Sequence, residues 1–235
     1  MGKKKLIRFK ANATFPRLFE PPALELLVKD HHLKGKWAQD FFGNDNRLTL
    51  ELGCGRGEYT IGMARLFPAQ NFIGVDIKGS RLFFGVTAVQ NEKISNACFV
   101  RSQIELINKI FAREVSEIWV TFPDPYPHRA HRRLTSPAFL NRYVNVLNAT
   151  GTICLKTDDH NLYSFTRTIA VENGLEIIDD TDDLYNSPLQ LAMPQIQTAY
   201  EKRFLDEGKK ICFLRFRLDR EVMPLPKKRQ APAKE

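Results

Sequence analysis

The sequence predicts an α/β fold: a seven-stranded, mostly parallel sheet with an antiparallel last strand and helices on both faces. Three observations lead there. From Leu48 onward, short β-rich runs alternate with helical patterns, the signature of a parallel sheet flanked by helices. The first run, Leu48-Thr-Leu-Glu-Leu52, breaks into glycines at 53, 55 and 57, which reads as a buried strand, a tight turn and the first turn of a helix. The last run, 211–218, sets Arg215 and Arg217 on one face and apolar residues on the other, which suits a half-exposed edge or antiparallel strand.

Taken in order, residues 1–47 form a basic arm and an N-terminal flap. Pro16, Pro21 and Pro22 forbid a continuous helix there, and Trp37-Ala-Gln-Asp-Phe-Phe42 is read as packing over the sheet. His31 and His32 have no cysteine near them and are not read as metal ligands. Strands are predicted at 48–52, 71–76, 97–101, 117–121, 151–156, 175–178 and 211–218. Helices are predicted at 58–66, 80–91, 104–111, 136–147, 161–173 and 198–207, with 148–151 and Gly174 as helix stops. The polar stretch 179–188 is too long for a bare connection and is read as a functional loop. Residues 48–218 make the main domain, and 219–235 is a Pro/Lys-rich tail expected to be disordered.

A chain of 235 residues with 43% hydrophobic content can fill one substantial core. No apolar run approaches the roughly 20 residues that span a bilayer, and the start of the chain has no signal-peptide segment, so a cytoplasmic protein without a membrane partner is expected. Gly2 precedes three lysines and Leu6, without the Ser or Thr of a myristoylation signal. The cysteines at 54, 98, 154 and 212 lie far apart, three of them in or beside apolar runs, which indicates neither a disulfide framework nor a zinc site. A formal charge of +8 suits a polyanionic partner, because clustered Lys and Arg displace counterions from phosphates.

Three constellations carry chemistry. Gly53, Gly55 and Gly57 let the backbone approach a ligand, Gly53 and Gly55 being the candidate cofactor contacts, and Asp76 ends the next apolar run, where a carboxylate reaches ribose hydroxyls. The spacing G-x-G-x-G, flanked by Glu51 and Glu58, differs from the dinucleotide fingerprint. A carboxylate beside the turn repels a pyrophosphate but accepts hydrogen bonds from the ammonium of S-adenosyl-L-methionine, so a sulfonium cofactor fits better. The third constellation presents Asp124 between Pro123 and Pro125 at the end of a buried strand. His128, Arg129, His131, Arg132 and Arg133 follow, an arrangement suited to a phosphate-bearing substrate.

Together, Leu50-Glu-Leu-Gly-Cys-Gly-Arg-Gly57, Phe72-Ile-Gly-Val-Asp76, the Phe-Pro-Asp-Pro loop at 122–125, Lys156-Thr-Asp158 and Thr198-Ala-Tyr-Glu201 resemble the bacterial tRNA (guanine-N7-)-methyltransferase family, in its order and over 48–218. The resemblance implies a Rossmann-like class I methyltransferase fold. It implies that Glu51 and Asp76 bind S-adenosyl-L-methionine with Ser102 or Gln103, and that Asp124 is the active-site carboxylate. It also implies RNA contacts from Asp158 and from Thr198, Ala199, Tyr200 and Glu201, a target guanine in the tRNA variable loop, and no obligatory protein partner. Tyr126 stands where the family usually has Trp, and His128 where it has Lys, with Arg129 alongside as a substitute cation. The expected activity is N7 methylation of guanine in tRNA. Two alternatives are a methyltransferase of the same fold acting on a small molecule or protein, and an RNA-binding module that keeps the cofactor pocket without turnover.

Overall fold

In the computed structural model the described residues are 8, 11, 12 and 14–224. The basic arm at 3–10, Arg8 apart, and the basic tail at 227–229 lie outside them. Strands β1 (Leu18–Phe19), β2 (Leu48–Leu52), β3 (Asn71–Asp76), β4 (Ala97–Arg101), β5 (Val115–Thr121), β6 (Leu147–Thr157), β7 (Ile177–Thr181) and β8 (Cys212–Arg217) form one sheet in the order β1-β4-β3-β2-β5-β6-β8-β7. All pairs from β1 to β6 are parallel, and β8 runs antiparallel to both β6 and β7. Strand order reverses at β2, which has β3 on one side and β5 on the other. In open α/β sheets a ligand crevice belongs at such a switch point, which places the candidate site at the carboxyl ends of β2 and β5.

Period-2 alternation divides the core. Leu48, Leu50 and Leu52 join Ile73, Val75, Val100, Ile118 and Val120 on one face of the sheet. Phe72, Phe99, Trp119 and Phe213 point to the other. The first face is covered by residues of α1 (Ala23–Val28), α4 (Ile107–Ile110), α5 (Pro137–Tyr143) and α6 (His160–Glu172). The second is covered by α2 (Glu58–Leu66) and α3 (Gly79–Asn91), with α7 (Leu189–Ala192) and α8 (Ala199–Asp206) contributing partly buried side chains. Helices thus lie on both faces, and among the described residues none is long and apolar enough to cross a membrane.

The structure departs from the sequence expectation at several points. An eighth strand, β1, adds two residues to the β4 edge. Lying between Pro16 and Pro21, it is too short to leave a periodic signal. Residues 148–151 do not stop a helix: α5 ends at Tyr143, and β6 begins at Leu147. The helix expected at 104–111 is a 3₁₀ turn, Ile104–Leu106, followed by the single turn of α4. β7 takes in Asp179 and Asp180 from the stretch read as loop. Their charges are met in place, Asp179 by Arg215 at 2.5 Å and Asp180 by Arg167 at 2.6 Å. Of the two readings offered for the last strand the antiparallel one holds and the edge one does not, since β8 lies inside the sheet between β6 and β7.

Trp37 is buried, its indole N–H donates to the Ile110 carbonyl at 3.0 Å, and Phe19 meets it edge-on. His31 stacks on Trp37 at 5.3 Å, where burial, reinforced by His32, pushes its pKa down to about 4.

Candidate active site at the switch point

The sequence-derived candidates gather along the carboxyl ends of the parallel strands. Glu51 lies near the end of β2 with Gly53 and Gly55 just after it, Asp76 ends β3, Ser102 and Gln103 follow β4, Asp124 lies three residues past β5, and Asp158 follows β6. Gly53, Gly55 and Gly57 have φ of +74°, +56° and +72°, a region that only glycine enters without strain. Their roles differ. A Cβ on Gly53 or Gly55 would make only an ordinary van der Waals contact, with Leu134 at 3.6 Å or Arg81 at 4.0 Å, so neither is tightly packed. On Gly57 it would lie 2.4 Å from the Phe99 ring, which Gly74 and Gly85 also accommodate. The third glycine, read from sequence as part of the ligand cradle, instead clears room for a core aromatic.

Both acids brace this turn. Glu51 is buried; one carboxylate oxygen accepts from the Thr60 amide at 2.8 Å and the Thr60 hydroxyl at 2.5 Å, the other from the Thr121 hydroxyl at 2.7 Å. It thereby ties β2 to the first turn of α2 and to the end of β5. Burial pushes its pKa up to about 7, against the opposing pull of these hydrogen bonds. Asp76 accepts from the Gly55 amide at 2.9 Å and the Lys78 amide at 2.7 Å. A carboxylate oxygen has two acceptor positions, so both acids retain capacity toward a ligand. Ser102 is buried at the end of β4, its amide donating to the Asp76 carbonyl at 3.2 Å, and Gln103 beside it is exposed.

Across the crevice, Asp124 is exposed on a loop held in an unusual conformation. Phe122 and Tyr126, on either side of it, have φ of +47° and +41°. Such strain costs on the order of 1–3 kcal/mol per residue and persists only where neighbours enforce it. They do: the Phe122 amide donates to the Lys156 carbonyl at 2.8 Å, and Arg133 Nε donates to the Pro125 carbonyl at 2.8 Å. Arg133 is buried with its guanidinium 4.4 Å from the Phe165 ring centroid, and burial lowers its pKa. Of the five basic residues counted in sequence, Arg133 clamps the loop. His128, Arg129, His131 and Arg132 face solvent at the rim.

The two remaining motif blocks meet each other. Lys156 at the end of β6 and Glu201 on α8 form a buried ion pair at 2.5 Å. Thr198 caps α8, its hydroxyl accepting from the Glu201 amide at 3.2 Å, while the Ala199 amide donates to Glu58 at 2.6 Å. Thr198-x-x-Glu201 is thus a capping-box sequence whose acid turns into the core. Tyr200 between them is 53% exposed, and half-buried Asp158 pairs with Lys209 at 2.9 Å. Sequence reasoning passed over Tyr185 and Phe204, and named Lys156 only within a motif, with no role of its own. The T-x-x-E spacing could have pointed to the cap, but no local pattern announces a buried lysine.

Comparison with known proteins agrees with this geometry. The family model described as "Putative methyltransferase" matches residues 45–214. Among solved structures, an antibiotic-related methyltransferase superposes with a TM-score of 0.58 at 19% identity, over 80% of this chain and 95% of that one. The 16S rRNA methyltransferase KamB gives 0.59 at 15% identity, over 81% and 94%. At such identities these likenesses establish the fold. The sequence relatives go further. The tRNA (guanine-N(7)-)-methyltransferase of Bacteroides thetaiotaomicron is 46% identical over 222 residues, 94% of this chain and 88% of that protein. Its counterpart in Christiangramia forsetii is 45% identical over 224 residues, covering 92% and 99%, and that of Cytophaga hutchinsonii is 41% identical over 232 residues, covering 96% and 100%. With likeness of this degree running through nearly the whole of each protein, the chain belongs to the tRNA (guanine-N7-)-methyltransferase family.

Proposed function

We propose that this protein methylates N7 of a guanine in the variable loop of tRNA, with S-adenosylmethionine as methyl donor. The observation that carries the reading is the crevice itself. A glycine cradle with two braced carboxylates lies on one side of the switch point, and an exposed Asp124 on an enforced loop, rimmed by Arg129 and Arg132, lies on the other. The cradle fits the cofactor: Gly53 and Gly55 present bare backbone, Asp76 has acceptor positions for ribose hydroxyls, and Glu51 supplies a negative charge for the methionine ammonium. Ser102 and Gln103 border the same side.

The cofactor supplies an electrophilic methyl group on a sulfonium. Guanine N7 offers a lone pair and carries no proton, so the nitrogen–carbon bond forms as the carbon–sulfur bond breaks, with no general base required. Positive charge moves onto the guanine ring. Holding the reactants in line supplies about 7–11 kcal/mol of barrier reduction at best. Asp124 acts as an orienter, accepting from the guanine edge and facing the charge as it develops. Because RNA buries N7 in a deep, narrow major groove, the target base is taken from a loop or an unstacked position.

The rim residues His128, Arg129, His131 and Arg132 follow the backbone, joined by Asp158 and by Tyr200, which Thr198, Ala199 and Glu201 hold outward. Residues 48–218 are the catalytic body, preceded by the flap of 1–47 and followed by the tail of 219–235. The activity belongs in the cytoplasm and needs no partner protein. Asp124→Asn tests the assignment. S-adenosylmethionine affinity measured by calorimetry stays within threefold of wild type, while methyl transfer to bulk tRNA falls at least a hundredfold. Near-wild-type methylation by this variant would refute it.

A further inference from the structure

Lys156 sits where three parts of the site converge. Its carbonyl accepts from the amide of Phe122, the strained first residue of the Asp124 loop. Its ammonium reaches Glu201 of α8 at 2.5 Å and lies 5.7 Å from the ring centroid of Tyr59, in the first turn of the helix behind the glycine cradle. Glu201 is held in turn by the Tyr185 hydroxyl at 2.8 Å, which also accepts from Gln197 at 3.1 Å.

α8 then touches both sides of the crevice. Phe204 packs on the Phe122 ring with centroids 5.7 Å apart. At its other end the Ala199 amide is fixed to Glu58 of α2, and Ile196, just before the helix, fills the space that Gly62 of α2 leaves open. A helix of eight residues thus spans from the cradle to the catalytic loop, and its one fully buried charge is tied to Lys156.

Stability alone does not account for this pair. Two charges withdrawn from water recover little net free energy, and well-packed apolar residues of similar volume commonly do as well or better. Moreover, the second carboxylate oxygen of Glu201 is buried with no hydrogen-bond partner, a further cost. What an ion pair supplies that an apolar contact lacks is a fixed distance and direction between its two elements.

We propose that Lys156 is a positioning residue. Its ion pair with Glu201 latches α8 across the switch point and, through the Phe204–Phe122 contact, sets where the Pro-Asp-Pro loop holds Asp124 relative to the cofactor cradle. The inference rests on reading Asp124 as the acceptor-facing carboxylate.

The test replaces the latch by apolar groups in the full chain, K156M/E201L, and separately removes its contact with the loop, F204A. Each is assayed for thermal unfolding, S-adenosylmethionine affinity, turnover on bulk tRNA, and hydrogen exchange of the peptide covering 122–127. For K156M/E201L the expected result is a midpoint equal to or above wild type, cofactor affinity within threefold, kcat down at least tenfold, and roughly tenfold faster exchange at 122–127 with β3 and β4 unchanged. F204A shows part of the same loss, and the triple variant is no slower than K156M/E201L, because both act through one loop.

A folded K156M/E201L protein with kcat within twofold of wild type overturns the proposal, as do multiplicative effects in the triple variant. If K156M/E201L does not fold, F204A decides: unchanged turnover and unchanged exchange at 122–127 sink the latch. Should the wild-type chain fail to methylate tRNA at all, the functional reading falls, while the exchange data still confirm or refute the latch.

Discussion

Burial holds the Glu51 carboxyl at a pKa of about 7 against 4.5 for a solvated glutamate, so its charge changes across the physiological range. The folded chain keeps this proton up to about pH 7, whereas the unfolded chain releases it near 4.5. Because the folded pKa is the higher one, stability from this group is full below 4.5, declines through the interval, and levels off above 7. The difference is on the order of 3 kcal/mol. Glu51→Gln should therefore stabilise the ligand-free protein more at pH 8 than at pH 5 by about that amount, as read by urea unfolding at both values. A bound ammonium favours the carboxylate, so S-adenosylmethionine affinity rises as pH passes through 7 and binding releases a proton. Equal affinity at pH 6 and pH 8 would contradict a charged Glu51 at the cofactor. The acids of this site were legible from their places at strand ends. Lys156 and Arg133 were not, because a buried cation is defined by partners far along the chain.

At the scale of elements, the glycine turn performs two jobs that its spacing does not separate. Gly57→Ala drives a methyl into Phe99 and forces alanine to φ +72°. The combined overpacking and left-handed strain should cost about 2–4 kcal/mol in chemical denaturation. Gly55→Ala meets only an ordinary contact with Arg81, so that left-handed strain alone should cost about 1 kcal/mol, yet it should weaken cofactor binding at least tenfold. If the two substitutions destabilise equally, the division of roles is wrong. The strands read most clearly where residues are buried on both faces, as in β2 and β3, whose apolar runs carry an acid at or near their ends. β7 was harder to place because Asp179 and Asp180 look like loop until Arg215, Arg167 and Tyr163 are seen to meet them. β1 was invisible, its two residues being recruited by the β4 edge rather than by any pattern of their own.

For the molecule as a whole, the formal charge of +8 makes RNA affinity a function of salt. Arg132 is exposed at the rim, and its hydrogen bond to the Arg129 carbonyl comes from the backbone amide, which alanine keeps. Arg132→Ala should leave the unfolding midpoint unchanged, weaken tRNA binding several-fold, and reduce the slope of log affinity against log salt by about one. Arg133→Ala, by contrast, frees the Pro125 carbonyl and should lower turnover with a smaller change in that slope. The parallel architecture followed from the alternation of runs after Leu48, and the cofactor side from the glycines and Asp76. The acceptor side depended on the Pro-Asp-Pro loop, whose left-handed residues no propensity predicts. The most direct measurement of the whole account is to incubate the wild-type chain with bulk tRNA and methyl-labelled S-adenosylmethionine, digest the RNA to nucleosides, and identify the labelled one. Label recovered as 7-methylguanosine is the result predicted here; label in any other nucleoside, or none in RNA, contradicts it.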